Sequence, residues 1–295
     1  MNFALIENNK IEANPNLKGM CPHCSQSVIA KCGKQRIWHW AHSSKTTCDN
    51  WWEPETEWHR TWKKNYPAEW QETSLLDERT GEKHIADVRT THNLVIEFQH
   101  SPINPQERAS REKFYKNMVW VVDGTRLKRD YHRFLKGKNN DFENTIFYKT
   151  DNPEIFRIEF DFLDWFLPTA WLESSVPVIF DYRGDGTMDD TEGIRNKLYC
   201  LFPQVGRYAR VAEITRKAFI NTTTNGEWVK RVQNFIDNFK NQDEIERKKE
   251  IERKNQQQMM SGTPAFWQRR GSKIYPINYL PRQPYITKPK RKGIR

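Results

Sequence analysis

This 295-residue chain is short of hydrophobic residues: they make up 36%, against about 45–50% apolar residues in typical globular domains. A chain this polar is not packed throughout, so part of it is expected outside any core. No run of about 18 apolar residues occurs, and no membrane-spanning helix is expected. Cysteine is scarce as well, five residues in all, four of them before residue 50. Such clustering argues for a metal site and against a disulfide-stapled secreted domain. Met1–Glu7 lacks the basic start and cleavage site of a signal peptide, so a cytoplasmic setting is expected. Acid is missing from the end of the chain: 255–295 holds nine Lys/Arg and no Asp/Glu, while the formal net charge of the whole is +10. The remainder is close to neutral. Aromatics are plentiful, with twelve Trp and sixteen Phe, so the core that exists is expected to be aromatic-rich.

The early cysteines carry the first motif. Cys21-Pro22-His23-Cys24 is a C-x2-C knuckle that presents two thiolates to one ion. It is followed by His39-Trp40-Ala41-His42 and by Cys48. Tetrahedral zinc needs four such ligands, and Cys21, Cys24, His42 and Cys48 are the favoured set. In a strand His39 and His42 would face opposite ways, and His42 lies nearer the loop carrying Cys48. His39 remains an alternative ligand and Cys32 a spare. Around them, Phe3–Glu7 with Lys10–Ala13, and Val28–Lys31 with Arg36–Trp40, read as two small hairpins.

The second motif lies in Lys83–Asp123. KHIADVRT and LVIEFQHS, joined by a polar turn at Thr90–Asn93, read as a β-hairpin. The period of two puts Val95, Glu97 and Gln99 on one face and Leu94, Ile96 and Phe98 on the other, the core face. Asp87 sits late in the first strand. Carboxylates avoid such places unless paired or bound to metal, and two on adjacent strands suit Mg²⁺, which fills its remaining positions with water and phosphate oxygens. Asn104-Pro105-Gln106-Glu107 is a helix start, and Val119–Asp123 an apolar, buried strand.

At these residues the chain resembles a family. Asp87 with Glu97-Phe98-Gln99 matches the PD-(D/E)XK nuclease pattern with Gln in the usual Lys place. The wider ADV…IEFQHS…R…Y stretch, with the C-P-x-C and H-[FW]-A-H elements, is similar to the competence protein CoiA-like nucleases, over roughly Phe3 to Gly124. The resemblance implies a mixed α/β fold with a restriction-endonuclease-like core, and cleavage of nucleic acid, DNA first, dependent on Mg²⁺ or Mn²⁺ at Asp87 and Glu97. It also implies an acid from a preceding helix. The stretch Trp51–Tyr66 reads as that helix, with Pro54 in its first turn, which makes Glu55 and His59 the candidates and Glu57 the alternate acid. The catalytic set implied is Glu55, His59, Asp87, Glu97 and Gln99. On the helix after Pro105, Arg108 and Arg111 would position phosphate.

The rest of the chain is less marked. Arg126–Lys138 is basic, and 142–182 is aromatic-rich. Asp181–Glu192 carries part of an EF-hand pattern, but Arg183 stands among its ligand positions, so a polar loop is expected. Val211–Phe219 and Glu227–Phe239 read as helices, and Asp243–Met260 as a solvated helix or linker. In the tail, Arg269, Arg270 and Lys273, interleaved with aromatics, suit nucleic-acid binding. The expected divisions are a zinc-binding β-module over 1–50, a nuclease core over 51–124, an α+β subdomain over 125–240, and a charged helix with a basic disordered tail over 241–295. The expected partner is nucleic acid, together with a protein partner in a DNA-processing complex. The rival reading is a zinc-containing nucleic-acid-binding protein without catalysis.

Overall fold

The computed structural model describes residues 1–44, 48–51, 53–138, 147–149, 155–183, 196–260, 267–270 and 273–276. Glu7 and Asn8 take positive φ of 50° and 65°, and so turn β1 (Phe3–Ile6) back onto β2 (Asn9–Glu12). Asn tolerates this left-handed region better than most residues. With β3 (Lys18–Met20), β4 (Ser27–Lys31) and β5 (His39–His42) they make an antiparallel sheet ordered β2-β1-β3-β4-β5. Ala4, Ala13, Cys21, Val28 and Trp40 close its own small core.

The larger sheet has nine described strands. Along the chain they are β6 (Gln71–Leu76), β7 (Lys83–Arg89), β8 (Val95–Gln99), β9 (Met118–Asp123), β10 (Phe147–Lys149), β11 (Ile155–Glu159), β12 (Val178–Asp181), β13 (Lys197–Leu201) and β14 (Tyr208–Thr215). Their order in space is β10-β11-β14-β13-β12-β9-β8-β7-β6. The centre, β8-β9-β12, is parallel and the flanks are antiparallel. Met118–Asp123 is buried throughout, as a central parallel strand requires. Helix α2 (Pro105–Tyr115) crosses from β8 to β9, and the Asn104 side chain accepts the Gln106 N–H to cap it.

The sheet separates two core layers. One contains Val95, Trp120, Val122, Val178, Phe180, Tyr182 and Tyr199, with Tyr131 and Phe134 of α3 (Lys128–Lys138). The other contains Ile96, Phe98, Val119, Val121 and Ile179, with Trp62 of α1 (Glu57–Lys63), Phe219 of α4 (Arg216–Thr224), and Trp228 and Phe239 of α5 (Glu227–Met260).

Four expectations differ from this fold. The helix over Trp51–Tyr66 shortens to Glu57–Lys63, with Thr56 as N-cap, because the residue before a proline is pushed to extended backbone and holds the chain out of the helix around Pro54. Val211–Phe219 divides into the end of β14 and the start of α4; Tyr208, Val211, Ile214 and Thr215 are strand formers. No separate subdomain begins at 125, since β10 to β14 extend the sheet that holds β6 to β9. Residues Met1–Phe239 form one compact unit. The second unit, Lys240–Arg295, contains the remainder of α5 and an antiparallel hairpin of β15 (Trp267–Arg270) and β16 (Lys273–Pro276), inside the stretch expected to be disordered. Most of the Asp181–Glu192 loop lies outside the described residues.

One close approach fixes how β9 leaves the sheet. The Gly124 N–H donates to the Asp181 carbonyl at 2.9 Å, and a Cβ on Gly124 would sit 2.4 Å from the ring of Tyr182, which is fully buried. Gly124→Ala is therefore expected to destabilise the first unit by about 1–3 kcal/mol, the usual cost of overpacking. Urea unfolding followed by tryptophan fluorescence would report a lower midpoint, and an unchanged midpoint would contradict the packing described.

Candidate active site and metal centre

The small sheet and the loop after it bring together the candidate metal ligands. The Cys21 carbonyl accepts the Ser25 N–H at 3.0 Å, and Ser25 turns at φ 59°, which folds the knuckle back so that both thiols face one point. The β4–β5 ladder pairs Val28 with His42 and brings the imidazole alongside. Cys48 returns from the following loop. Its sulfur lies 3.1 Å from that of Cys24, 3.5 Å from that of Cys21 and 3.0 Å from His42 Nε2. The four ligand atoms all lie within 4.8 Å of one another. Zn–S bonds of about 2.3 Å in a tetrahedron separate ligand atoms by roughly 3.5–3.8 Å, so the cluster has the dimensions of a zinc site. Burial, and then Cys24 and Cys21, push the Cys48 thiol up, a crowding that a divalent cation would relieve. His39 instead hydrogen-bonds the Ile37 carbonyl through Nδ1, and Cys32 packs beside the small core.

The second site lies where one level of the large sheet opens. Gln71 pairs with Val88 and Thr73 with Ala86, but Glu72 and Asp87 between them do not pair; Glu72 takes φ 47° there. On the other side Val88 pairs with Ile96, while Asp87 and Glu97 do not pair. Side chains replace the missing ladder bonds. Asp87 N–H donates to Glu97 Oε1 at 3.1 Å, and Phe98 N–H donates to Asp87 Oδ2 at 2.9 Å. Each carboxylate gives its other oxygen to a cation: Asp87 Oδ1 lies 2.9 Å from Lys63 Nζ, and Glu97 Oε2 lies 3.3 Å from Arg111 Nη1.

Lys63 enters from the end of α1. Its ammonium also lies 3.1 Å from Glu55 and 3.7 Å from Glu72. Burial opposes its charge, but Asp87, Glu55 and Glu72 outweigh burial and raise its pKa well above the ordinary value. Burial likewise opposes the charge of Asp87, but Lys63 and the Phe98 N–H hold its carboxyl below the usual range. Glu97 goes the other way: burial, and then Asp87, push it up to about 8. Glu72 also accepts the N–H groups of Asn2 at 2.7 Å and Phe3 at 3.2 Å, and so ties the small sheet to the large one.

Glu53, which the sequence did not single out, organises the end of β8. It accepts Gln99 Nε2, the N–H groups of His100 and Ser101, and His59 Nε2 at 2.8 Å. The Thr56 N–H donates to His59 Nδ1, so that nitrogen is an acceptor and Nε2 carries the proton given to Glu53. Gln99 Nε2 donates also to the Ser101 carbonyl, which leaves its buried Oε1 without a hydrogen-bond partner. The available signal for Glu53 was Pro54, which excludes it from the helix. Glu57 is exposed on α1. Glu55, the candidate acid, is drawn to Lys63 and to Arg60.

A cleft of about 380 Å³ lies between the two sheets. His42 and Cys48 of the metal centre line it, with Glu53, Glu55, His59, Lys63, Asp87, Glu97 and Arg111. Six carboxylates line it against two Lys/Arg. The α2 arginines are buried: Arg108 pairs with Glu112 at 2.9 Å, and Arg111 donates to Glu97, Glu107 and the Trp51 carbonyl. Arg269, Arg270 and Lys273 lie on the hairpin of the second unit, where Arg270 and Lys273 are cross-strand neighbours.

Comparison with known proteins fits this division. A model described as the competence protein CoiA N-terminal domain matches residues 6–50, which contain the four metal-site residues. A model described as the competence protein CoiA nuclease-like domain matches 83–162, which contain Asp87, Glu97 and Gln99. No curated protein and no solved structure matched the chain. Two domain models of one family, matched in order along a single chain, make the chain similar to the CoiA-like competence proteins over these two stretches.

Proposed function

We propose that the chain is a metal-dependent nuclease whose catalytic centre is the acid cleft, with β6, β7, β8, α2 and β9 as a PD-(D/E)XK core and DNA as the first substrate to test. The observation that carries this reading is the charge of the cleft, six carboxylates against two Lys/Arg. A phosphate entering such a cleft meets repulsion unless a divalent cation is present. The donor set suits one. Asp87 and Glu97 supply hard carboxylate oxygens, and Gln99 supplies a buried amide oxygen with no hydrogen-bond partner. Hard oxygens are the ligands that Mg²⁺ and Mn²⁺ take. Bound there, the ion would polarise the scissile phosphate and lower the pKa of a coordinated water.

The chain's own residues prepare that chemistry. Glu53 fixes the Gln99 amide and the His59 ring at once. Both nitrogens of His59 are engaged, which supports a positioning role and not a proton relay. Lys63 stands against Asp87 and supplies a fixed positive charge that Gln99, in the usual Lys place, does not have. Glu55 positions Lys63. Zinc at Cys21, Cys24, His42 and Cys48 would hold the small sheet as one wall of the cleft. One observation favours the rival, a nucleic-acid-binding protein without catalysis: all four oxygens of Asp87 and Glu97 already have partners within the chain. The basic hairpin with Arg269, Arg270 and Lys273 would serve binding under either reading.

Three outcomes are expected. Asp87→Ala and Glu97→Ala should each abolish Mg²⁺- or Mn²⁺-dependent cleavage of plasmid and single-stranded DNA while oligonucleotide binding persists, since loss of a carboxylate does not weaken attraction to a polyanion. Gln99→Ala should cost less, since a neutral amide contributes less to holding the ion than a carboxylate. Cleavage that survives both carboxylate variants would place the site elsewhere; a wild type that binds without cleaving any substrate would favour the rival. Second, protein purified without chelator should carry about one zinc per chain by elemental analysis, and Cys21→Ser should lose it and unfold the small sheet. Third, Lys63→Met should lower stability by about 3–5 kcal/mol, because it leaves buried carboxylates without their cation; an unfolding midpoint equal to that of wild type would refute the ion-pair cluster.

A further inference from the structure

If the chain acts on nucleic acid, the cleft does not explain how it holds its substrate. The cleft is acidic, and the two α2 arginines that the sequence offered for phosphate are consumed by Glu112, Glu97 and Glu107. The surface of α3 has the opposite character. Arg126 and Leu127 lead into it, and Leu127 is 48% exposed. Lys128, Arg129, His132 and Lys136 are exposed along the helix. Arg129, His132 and Lys136 are spaced i, i+3, i+7 and share a stripe. Tyr131 and Phe134 face the other way, where Phe134 stacks on Tyr182 at 4.5 Å and Tyr131 lies 5.9 Å from it. Packing thus forces the basic residues outward. The helix has one acidic residue, Asp130, and Arg133 pairs with it at 2.9 Å. Lys138 is turned inward, 2.8 Å from Glu213, and adds nothing to the outer face.

The location matters as much as the charge. Helix α3 begins five residues after Asp123, the last residue of β9, and β9 is the parallel neighbour of β8. Asp123 Oδ2 lies 2.8 Å from Nδ1 of His100, the residue after Gln99. The stripe therefore starts from the carboxyl edge of the parallel strands, the edge at which open α/β sheets bind ligands, beside the end of the neighbouring strand that carries Glu97 and Gln99.

We propose that the outer face of α3, formed by Arg126, Lys128, Arg129, His132 and Lys136, is a track for the phosphate backbone of nucleic acid, distinct from the acidic cleft. The partner chemistry is a polyanion with regularly spaced phosphates. The track reads charge and not sequence, because these side chains offer point contacts to phosphate. This inference rests on the proposed nucleic-acid function, and a binding assay separates the two because it needs no cleavage.

The experiment uses the full chain with no chelator and no added divalent cation, and fluorescein-labelled 30-mers, single- and double-stranded, in anisotropy titrations from 50 to 200 mM KCl. The test variant is Lys128→Gln/Arg129→Gln/Lys136→Gln, which keeps good helix formers in place. The control, Lys18→Gln/Lys217→Gln/Lys230→Gln, removes the same charge from exposed positions elsewhere. Each lost phosphate contact lowers the log–log salt slope by about 0.9 on duplex and about 0.7 on single strands. The test variant should lose about 2–3 units of duplex slope and bind at least tenfold more weakly at 100 mM, with an unchanged circular dichroism spectrum and the control close to wild type. A wild-type slope in the test variant overturns the track, as does an equal loss in the control, which would point to net charge alone. A second variant, Arg129→Lys, guards against helix damage: it should bind as wild type, and weak binding there would also count against a charge-only track. A wild type that binds neither oligonucleotide overturns both the track and the nucleic-acid reading.

Discussion

The rest of the fold is arranged around charges that are buried at one level of the large sheet. Glu72, Asp87 and Glu97 occupy consecutive strands at the level where the ladder opens, and Asp87 is unpaired on both sides. Glu72 and Asp87, ionised in such a place, are tolerable only with compensating cations and hydrogen bonds. Lys63 supplies the cation, so α1 must end where it does. The short helix is held there by a capping box between Thr56 and His59, and by Trp62, which stacks on Phe98 at 5.7 Å and donates through Nε1 to Asp181. Asp181 in turn receives Trp58 and a bidentate Arg216 from α4. The acid level therefore dictates the placement of two helices and of the strand that carries Asp181.

The same constraint joins the two sheets. Glu72 reaches the N–H groups of Asn2 and Phe3, so the acid that helps neutralise Lys63 also anchors the first strand. A second strap leaves the metal centre directly. Asp49 follows Cys48 and accepts the N–H groups of Trp51 and Ile85 and the ring of His84. Trp51 stacks on His84 with ring centroids 3.2 Å apart, and its carbonyl takes Arg111, the residue that pairs with Glu97. The small sheet is thus connected to the acids on both sides of the cleft, which explains why two domains matched by separate family models form one compact unit.

Much of this was legible in the sequence where period or ligand spacing carried the signal. Alternation along Leu94–Gln99 separated the two faces of β8, although both are buried where one core face was expected, and the knuckle with His42 and Cys48 predicted the cluster. What was not legible depends on contacts between distant segments. Glu72 looks like an ordinary strand residue until its positive φ and its hold on Asn2 are seen. Lys63 lay on the expected helix face, but no local pattern gives the fully buried position it occupies between Glu55, Glu72 and Asp87. Glu53 was hidden by extending the helix to Trp51, although Pro54 held the information needed to stop it. Arg108 and Arg111 were expected to position phosphate because periodicity gives direction around a helix and not what covers it; Glu112, Trp120, Ser174 and Ser175 close over that side.

The separation of charge has a physical logic. A site that holds a divalent cation needs an excess of carboxylates, and that excess repels the phosphates on which the cation would act. Screening limits the conflict: at about 0.15 M salt the repulsion fades over roughly 8 Å. Basic groups beyond that range can hold a backbone without neutralising the acids, whereas basic groups inside it would compete with the cation for the same oxygens. Lys63 and Arg111 are inside, and both sit on the oxygens that a metal would use. They compensate the carboxylates within the folded chain and would yield to an ion that brings greater charge. Lys128, Arg129 and Lys136 of α3 are exposed, and the one acid on the helix, Asp130, pairs with Arg133. On the proposed function, attraction of substrate and retention of a catalytic ion would be opposite electrostatic demands that fall on different elements: Lys63 of α1 and Arg111 of α2 are buried, whereas Lys128, Arg129 and Lys136 of α3 are exposed.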